Sequence, residues 1–290
     1  MVTQYEMRQR ARKIIKPNLQ VLLVIALIAA LPGLLMNVVL SRTGSDLVSY
    51  LYESNIDTSA TVDQLATAIT QFYSERGWIA PVLLLLESLI APVLALGLLN
   101  ALLTLLRGGT VVVTNVFSHM RYVVRATLLT LLIAVKMVLW ALPGMLVMTL
   151  SILLPDSAVF VLAYLVGITL ITALTIMAYY RYSLANVFQA DEPELGVFAC
   201  VRKRKAVMKN RKMQLFSLTL SYNLIRMLVI TVVAELFGFV LGNVISMVAQ
   251  LVLSVYISCA YCVFYETYAR PARGVPQTIE IDPYHDEMKE

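Results

Sequence analysis

The sequence predicts an all-α, polytopic bundle that crosses a membrane six times, and three observations carry that prediction. The first is composition: of 290 residues, 59% are hydrophobic and only 14% charged, with a mean hydropathy of +0.78. A chain that apolar has too little polar surface to cover a core in water, so the bilayer is its solvent. The second is that the apolar residues fall into six long runs. The third is where the cations sit: 19 of the 23 Lys and Arg residues lie in segments that alternate consistently to one side of those runs.

The runs are Leu19–Leu40, Trp78–Leu106, Ala126–Leu153, Ala158–Tyr180, Leu215–Phe237 and Val240–Phe264. Each reaches the length of about 20 residues needed to cross about 30 Å of hydrocarbon at 1.5 Å per residue. The second and third exceed it and are expected to tilt or kink. Pro81, Pro92 and Pro143-Gly144 are the expected kink points, since proline removes a helix hydrogen bond.

Five basic residues precede the first run (Arg8, Arg10, Arg12, Lys13, Lys16), and no small-residue cleavage site follows it. The run is also too long for a cleaved leader, so an uncleaved signal anchor is expected. With the N-terminus inside, residues 1–18, 107–125, 181–213 and 265–290 are cytoplasmic and hold five, three, eight and three Lys/Arg. Only Arg42 and Arg76 fall outside, and only Lys136 and Arg226 within runs. The rule that cytoplasmic loops carry the positive charge is met throughout, which places both termini in the cytoplasm.

The outer segments are a loop over residues 41–77, a turn at Pro155-Asp156 and another near Gly238-Phe239. In the loop, Thr61 and Gln64 form a capping box, and Leu65, Ile69, Phe72 and Tyr73 recur at helical spacing, predicting a short amphipathic surface helix. Its acidic residues (Asp46, Glu53, Asp57, Asp63, Glu75) lack metal-ligand spacing and read as a solvated face. Residues 269–290 form a polar cytoplasmic tail, whose end, Asp282–Glu290, is expected to be disordered.

Three basic segments lead directly into the odd-numbered spans: Arg12–Lys16, Met120–Arg125 and Met208–Lys212. This predicts a threefold repeat of a basic interfacial helix followed by a helical hairpin. In the third copy, Phe198, Val201 and Met208 would face the apolar layer. Arg202, Lys203, Arg204, Lys205, Lys209, Arg211 and Lys212 would face anionic headgroups or a partner.

Several motifs carry a family resemblance. Tyr180-Arg181-Tyr182-Ser183-Leu184-Ala185 leads into Asp191-Glu192-Pro193-Glu194-Leu195-Gly196, then Met208–Lys212 and Leu215-Phe216-Ser217-Leu218. Leu106-Arg107-Gly108-Gly109, with Val116-Phe117-Ser118 and Arg121-Tyr122 after it, and Tyr265-Glu266 add to it. Over residues 8–268 the chain resembles the bacterial integral-membrane family known as domain of unknown function 975. The resemblance implies a six-span inner-membrane protein typical of Gram-positive bacteria. It supplies no catalytic residues.

Charged groups inside spans cost about 2.5–3.5 kcal/mol each on insertion scales and are default functional candidates. Glu87, Lys136, Arg226 and Glu235 are such groups. Helical rise puts the two cations about 16 Å from the inner end and the two carboxylates about 30 Å from it. They read either as a polar pathway or as structural charges, with the carboxylates near outer water and the cations paired with Asn100, Asn223 or backbone carbonyls.

Other chemistry is not signalled. Cys259 and Cys262 form a C-x-x-C inside an apolar run, where a thiolate is disfavoured, and three cysteines give no disulfide framework. The sequence has no zincin, nucleophile-elbow or phosphate-loop motif, and its two histidines, His119 and His285, lie in separate segments. No metal, cofactor or nucleic-acid partner is expected, and no enzymatic activity. Two classes of function remain. One is a lipid-interacting binding or scaffold component, with a membrane-protein partner or a second copy of itself. The other is a carrier using the intramembrane charges.

Overall fold

The computed structural model describes residues 4–43, 62–75, 77–151, 157–207 and 212–269. Among the described residues every regular element is helical: α1 (Gln4–Thr43), α2 (Val62–Glu75), α3 (Ile79–Leu106), α4 (Val123–Ser151), α5 (Ser157–Tyr182), α6 (Leu184–Asp191), α7 (Val197–Val207) and α8 (Lys212–Tyr268). Two 3₁₀ turns, Val113–Phe117 and Met120–Tyr122, bridge α3 and α4. Five stretches are long and apolar enough to cross a membrane: Tyr5–Leu40, Pro81–Leu106, Val113–Ser151, Val159–Asp191 and Ile245–Tyr268. In lipid every backbone polar group must be satisfied within the chain, which helices achieve locally.

α8 departs from the expected pair of helices. It is helical through Gly238-Phe239 and runs for 57 residues, which would span about 85 Å if straight. It is not straight. The rings of Tyr222 and Tyr256 stack with centroids 6.2 Å apart, whereas 34 residues of straight helix would separate them by about 51 Å. The element therefore doubles back on itself, and the midpoint of that pair falls at Phe239, beside the expected turn.

The first two basic segments differ in form and the third lies largely outside the described residues, so the described residues show no common local structure for the predicted repeat. Arg12–Lys16 is continuous with the first span, because Met7, Ala11 and Ile15 form a buried stripe at four-residue spacing that docks this part of α1 into the core. Met120–Tyr122 is a 3₁₀ turn. The third segment is entered by the separate helix α7, and Met208, Lys209 and Arg211 lie outside the described residues. Pro81 occupies the first turn of α3, where its missing N–H has no partner to lose, so it is not a kink point. Pro92 and Pro143 do lie inside helices.

The packed core gathers at one end of the bundle. Its members come from the first half of α1, the second half of α3, α6 and the last turns of α8, with Tyr265, Phe188, Phe264 and Leu102 fully buried. Towards the other end apolar side chains face outward, as in Leu35, Val38, Leu84 and Leu85, which is the expected surface against lipid. α4 and α5 cross closely where Gly144 meets Gly167: a Cβ on Gly144 would lie 2.6 Å from Ile171 Cγ1 and 2.7 Å from its backbone nitrogen. Small residues at such crossings let helix backbones approach. In the outer region α2 forms as predicted, burying Phe72; Thr61 and residues 44–60 lie outside the described residues.

Candidate functional site

The packed end carries an ion-pair cluster assembled from three chain ends. α3 is stopped by Gly108, whose φ of +80° suits a residue without a Cβ. The Gly108 N–H donates to Leu105 O (3.0 Å) and the Gly109 N–H to Thr104 O (2.9 Å), a Schellman cap. The cap leaves Arg107 at the helix end, with its guanidinium between α6 and α8. Nη2 lies 2.5 Å from Asp191 Oδ1 and 2.7 Å from Glu266 Oε1. Nε donates to Glu266 Oε1 at 2.8 Å. The Tyr265 hydroxyl donates to Asp191 Oδ2 at 2.6 Å, and its ring packs edge-on to Phe188. Burial alone would lower the pKa of Arg107, but hydrogen bonds and charge from Asp191 and Glu266 outweigh it and raise it. The group is a permanent cation clamped by two carboxylates that are 12% and 8% exposed.

A neutral hydrogen-bond chain lies alongside. Asn100 Nδ2 donates to Ser118 Oγ (3.1 Å), Ser118 Oγ is 2.9 Å from His119 Nδ1, and His119 Nε2 is 3.1 Å from Ala190 O. A carbonyl only accepts, so Nε2 carries the proton and the Ser118 hydroxyl donates to Nδ1. The buried His119 thus fastens the α3–α4 connection to α6. Across the bundle, Thr219 donates to the Tyr180 hydroxyl (3.0 Å), and Tyr180 packs edge-on to Phe216. Each interaction joins elements that begin or end at this same end.

The cations converge here as well. Arg8 donates to Ser217 O, and Arg125 to Pro193 O. Arg121 and Arg125 line a cavity of about 620 Å³ with Tyr122 and Glu194. Arg12, Lys13 and Lys16 line another, of about 570 Å³, against α8.

The predicted site residues fare differently. Glu87 is half-buried on α3, its carboxylate against Gly33 of α1. Lys136 is half-buried on α4, and no ion pair joins it to Glu87 among the described residues. Asn100 holds Ser118, and Asn223 Nδ2 reaches the Tyr180 hydroxyl at 3.5 Å; these are their described polar contacts. Arg202 is exposed, and Lys203 is tied to Glu192 at 3.0 Å. The side chains of Arg204, Lys205, Lys212, Arg226 and Glu235, and the whole of Lys209 and Arg211, lie outside the described residues. On α7 the expected apolar side is shared: Phe198 is 77% exposed, whereas Cys200 is fully buried.

Sequence reasoning passed over Arg107, Asp191, Tyr265 and Glu266 as a site. Their one signal was that they stand in three separate segments carrying the family resemblance, with Tyr265 and Glu266 sharing one, and the fold brings those segments together.

A bundle that is all-helical among the described residues, with five apolar stretches long enough to cross a membrane and ion pairs knitting one end, points to a membrane protein. Its family is also established. The chain matches the family model described as Protein of unknown function (DUF975) over residues 1–270, and it belongs to that family. Comparison with curated proteins found no match, and neither did comparison with solved structures.

Proposed function

We propose that this protein is a non-enzymatic, lipid-engaging scaffold of the bacterial cytoplasmic membrane, crossing it six times with both termini inside. The observation that carries this reading is the gathering of basic segments around the Arg107–Asp191–Glu266 cluster at one end of the bundle. Cations held on a packed platform at the membrane surface attract anionic headgroups at about 1 kcal/mol each. The doubling back of α8 supports two crossings within that element, and hence six in all. On α7 the exposed Phe198 beside Arg202 and Lys203 suits insertion of a ring among headgroups with cations at the phosphate level.

Charge reversal at Arg202 and Lys203, followed by native mass spectrometry of protein extracted gently from its own membrane, tests the reading. Loss of a bound anionic lipid or of a stoichiometric membrane partner supports it; unchanged retention of both counts against it. The carrier reading rests on Glu87 and Lys136 being half-buried within apolar helices. It requires that Glu87→Gln or Lys136→Met abolish solute flux in reconstituted vesicles while the fold is kept.

A further inference from the structure

The first basic segment is amphipathic in an unusual sense. Met7, Ala11 and Ile15 mark one side of α1, turned into the core. Gln9, Arg12, Lys13 and Lys16, spaced i, i+3, i+4 and i+7, mark the opposite side, since 100° per residue sets the two stripes about 150° apart. That polar stripe does not simply face bulk water. It forms one wall of the groove of about 570 Å³ whose other wall is α8.

The α8 wall has two parts. Tyr222 and Tyr256, stacked across the doubled-back element, stand with the cations. Ile225, Val252 and Leu253 continue the lining as an apolar surface. Tyr222 is only 7% exposed, and its buried hydroxyl has no hydrogen-bond partner among the described residues. A buried hydroxyl without a partner costs about 1–3 kcal/mol, so a groove presenting one beside cations lacks an acceptor. Among the described residues no carboxylate lines the groove.

We propose that this groove is a binding site for the phosphodiester headgroup of an anionic membrane lipid. Arg12, Lys13 and Lys16 would hold the phosphate charge, the Tyr222 hydroxyl would donate to a phosphate oxygen, and an acyl chain would lie along Ile225, Val252 and Leu253. Charge complementarity selects an anion. The continuation of the lining onto apolar residues of a membrane-embedded helix selects a lipid over free phosphate. The inference deepens the lipid-engaging reading by naming a site for it, and it uses residues distinct from Arg202 and Lys203.

The test is native mass spectrometry of the full chain in detergent with added phosphatidylglycerol, phosphatidylcholine or inorganic phosphate. Phosphatidylglycerol is expected to be retained in a one-to-one complex and phosphatidylcholine lost. The triple substitution Arg12→Gln, Lys13→Gln, Lys16→Gln should weaken retention on the order of 100-fold, from about 1 kcal/mol per cation. Should that variant fail to fold, Tyr222→Phe keeps the ring stack, removes only the hydroxyl, and should weaken retention roughly tenfold. Equal retention of the two lipids, competition by millimolar inorganic phosphate, or full retention by folded variants would each overturn the proposal. If only the Arg202/Lys203 reversal is silent, the α7 platform fails and the groove stands. If only the groove variants are silent, the reverse holds.

Discussion

Arg107 and Asp191, 84 residues apart in sequence, meet with Nη2 2.5 Å from Oδ1 and so join the end of α3 to the end of α6. Glu266 binds the same guanidinium from α8. Arg107→Ala would leave two largely buried carboxylates facing each other with their shared cation gone. Breaking a buried pair typically costs about 3–5 kcal/mol; with Arg107 itself 31% exposed, about 2–4 kcal/mol is expected. Arg107→Lys should recover only part of this, because an ammonium lacks the planar fork that serves both acids. Thermal unfolding of the purified protein in detergent reads both variants.

Among the described glycines, Gly97 makes the tightest approach. A Cβ there would fall 2.0 Å from the backbone oxygen of Val116, an atom fixed by the 3₁₀ turn that contains it. Gly97→Ala must therefore push the α3–α4 connection off α3. The expected result is a loss of about 1–3 kcal/mol or failure to accumulate in the membrane. Gly109→Ala meets mainly the Thr104 side chain and should be milder.

Most apolar side chains of α4 and α5 are exposed, so their crossing rests on close packing more than on burial. Gly144→Leu or Gly167→Leu would force those two backbones apart, since the neighbouring atoms at Gly144 include the Ile171 nitrogen and at Gly167 the Met148 nitrogen. Faster proteolysis within α4 and α5, with the Arg107 cluster undisturbed, is the expected outcome. Limited digestion in detergent measures it.

Cys200 should be a poor nucleophile. It is fully buried, and burial pushes its thiol pKa above the ordinary 9.0, against the opposing pull of Lys203. A thiol whose pKa is raised by folding favours the native state below about pH 9, and that preference fades as the pH climbs from 9.0 towards the native value. Maleimide labelling of the native protein at pH 7.5 should thus be slow at Cys200 and rise to the free-thiol rate only on denaturation.

Topology can be checked at the two ends of α8. If the doubled-back element crosses twice, an impermeant label should reach Met213→Cys, exposed at the start of α8, and Tyr268→Cys, part-exposed at its end, from the same, cytoplasmic, side. Labelling from opposite sides would mean a single crossing.

The apolar runs were legible because the length of a hydrophobic stretch is a local quantity, and bilayer thickness sets its threshold. The reversal near Phe239 was legible for the same reason: 57 apolar-rich residues are too many for one crossing. The Arg107 cluster was not, since nothing local marks Arg107, Asp191 and Glu266 as mutual neighbours. Their pairing exists only once α3, α6 and α8 are packed. The repeat is not seen among the described residues: Arg12–Lys16 and Met120–Arg125 share composition, while their surroundings differ. Met7, Ala11 and Ile15 find a core to dock into; the segment at 120–122 follows the close contact of Val116 with Gly97 and is held in a tight turn.

The Arg107 cluster also bears on how the chain is made. Glu266 and Tyr265 lie in the final turns of α8, so they leave the ribosome long after Arg107 and Asp191 have been synthesised. Until they arrive, α3 and α6 are joined by a half-made contact, with the Asp191 carboxylate lacking its tyrosine donor. The last helix therefore works as a clasp, and a nascent chain cut short before Tyr265 would present the membrane's quality-control proteases with an open one.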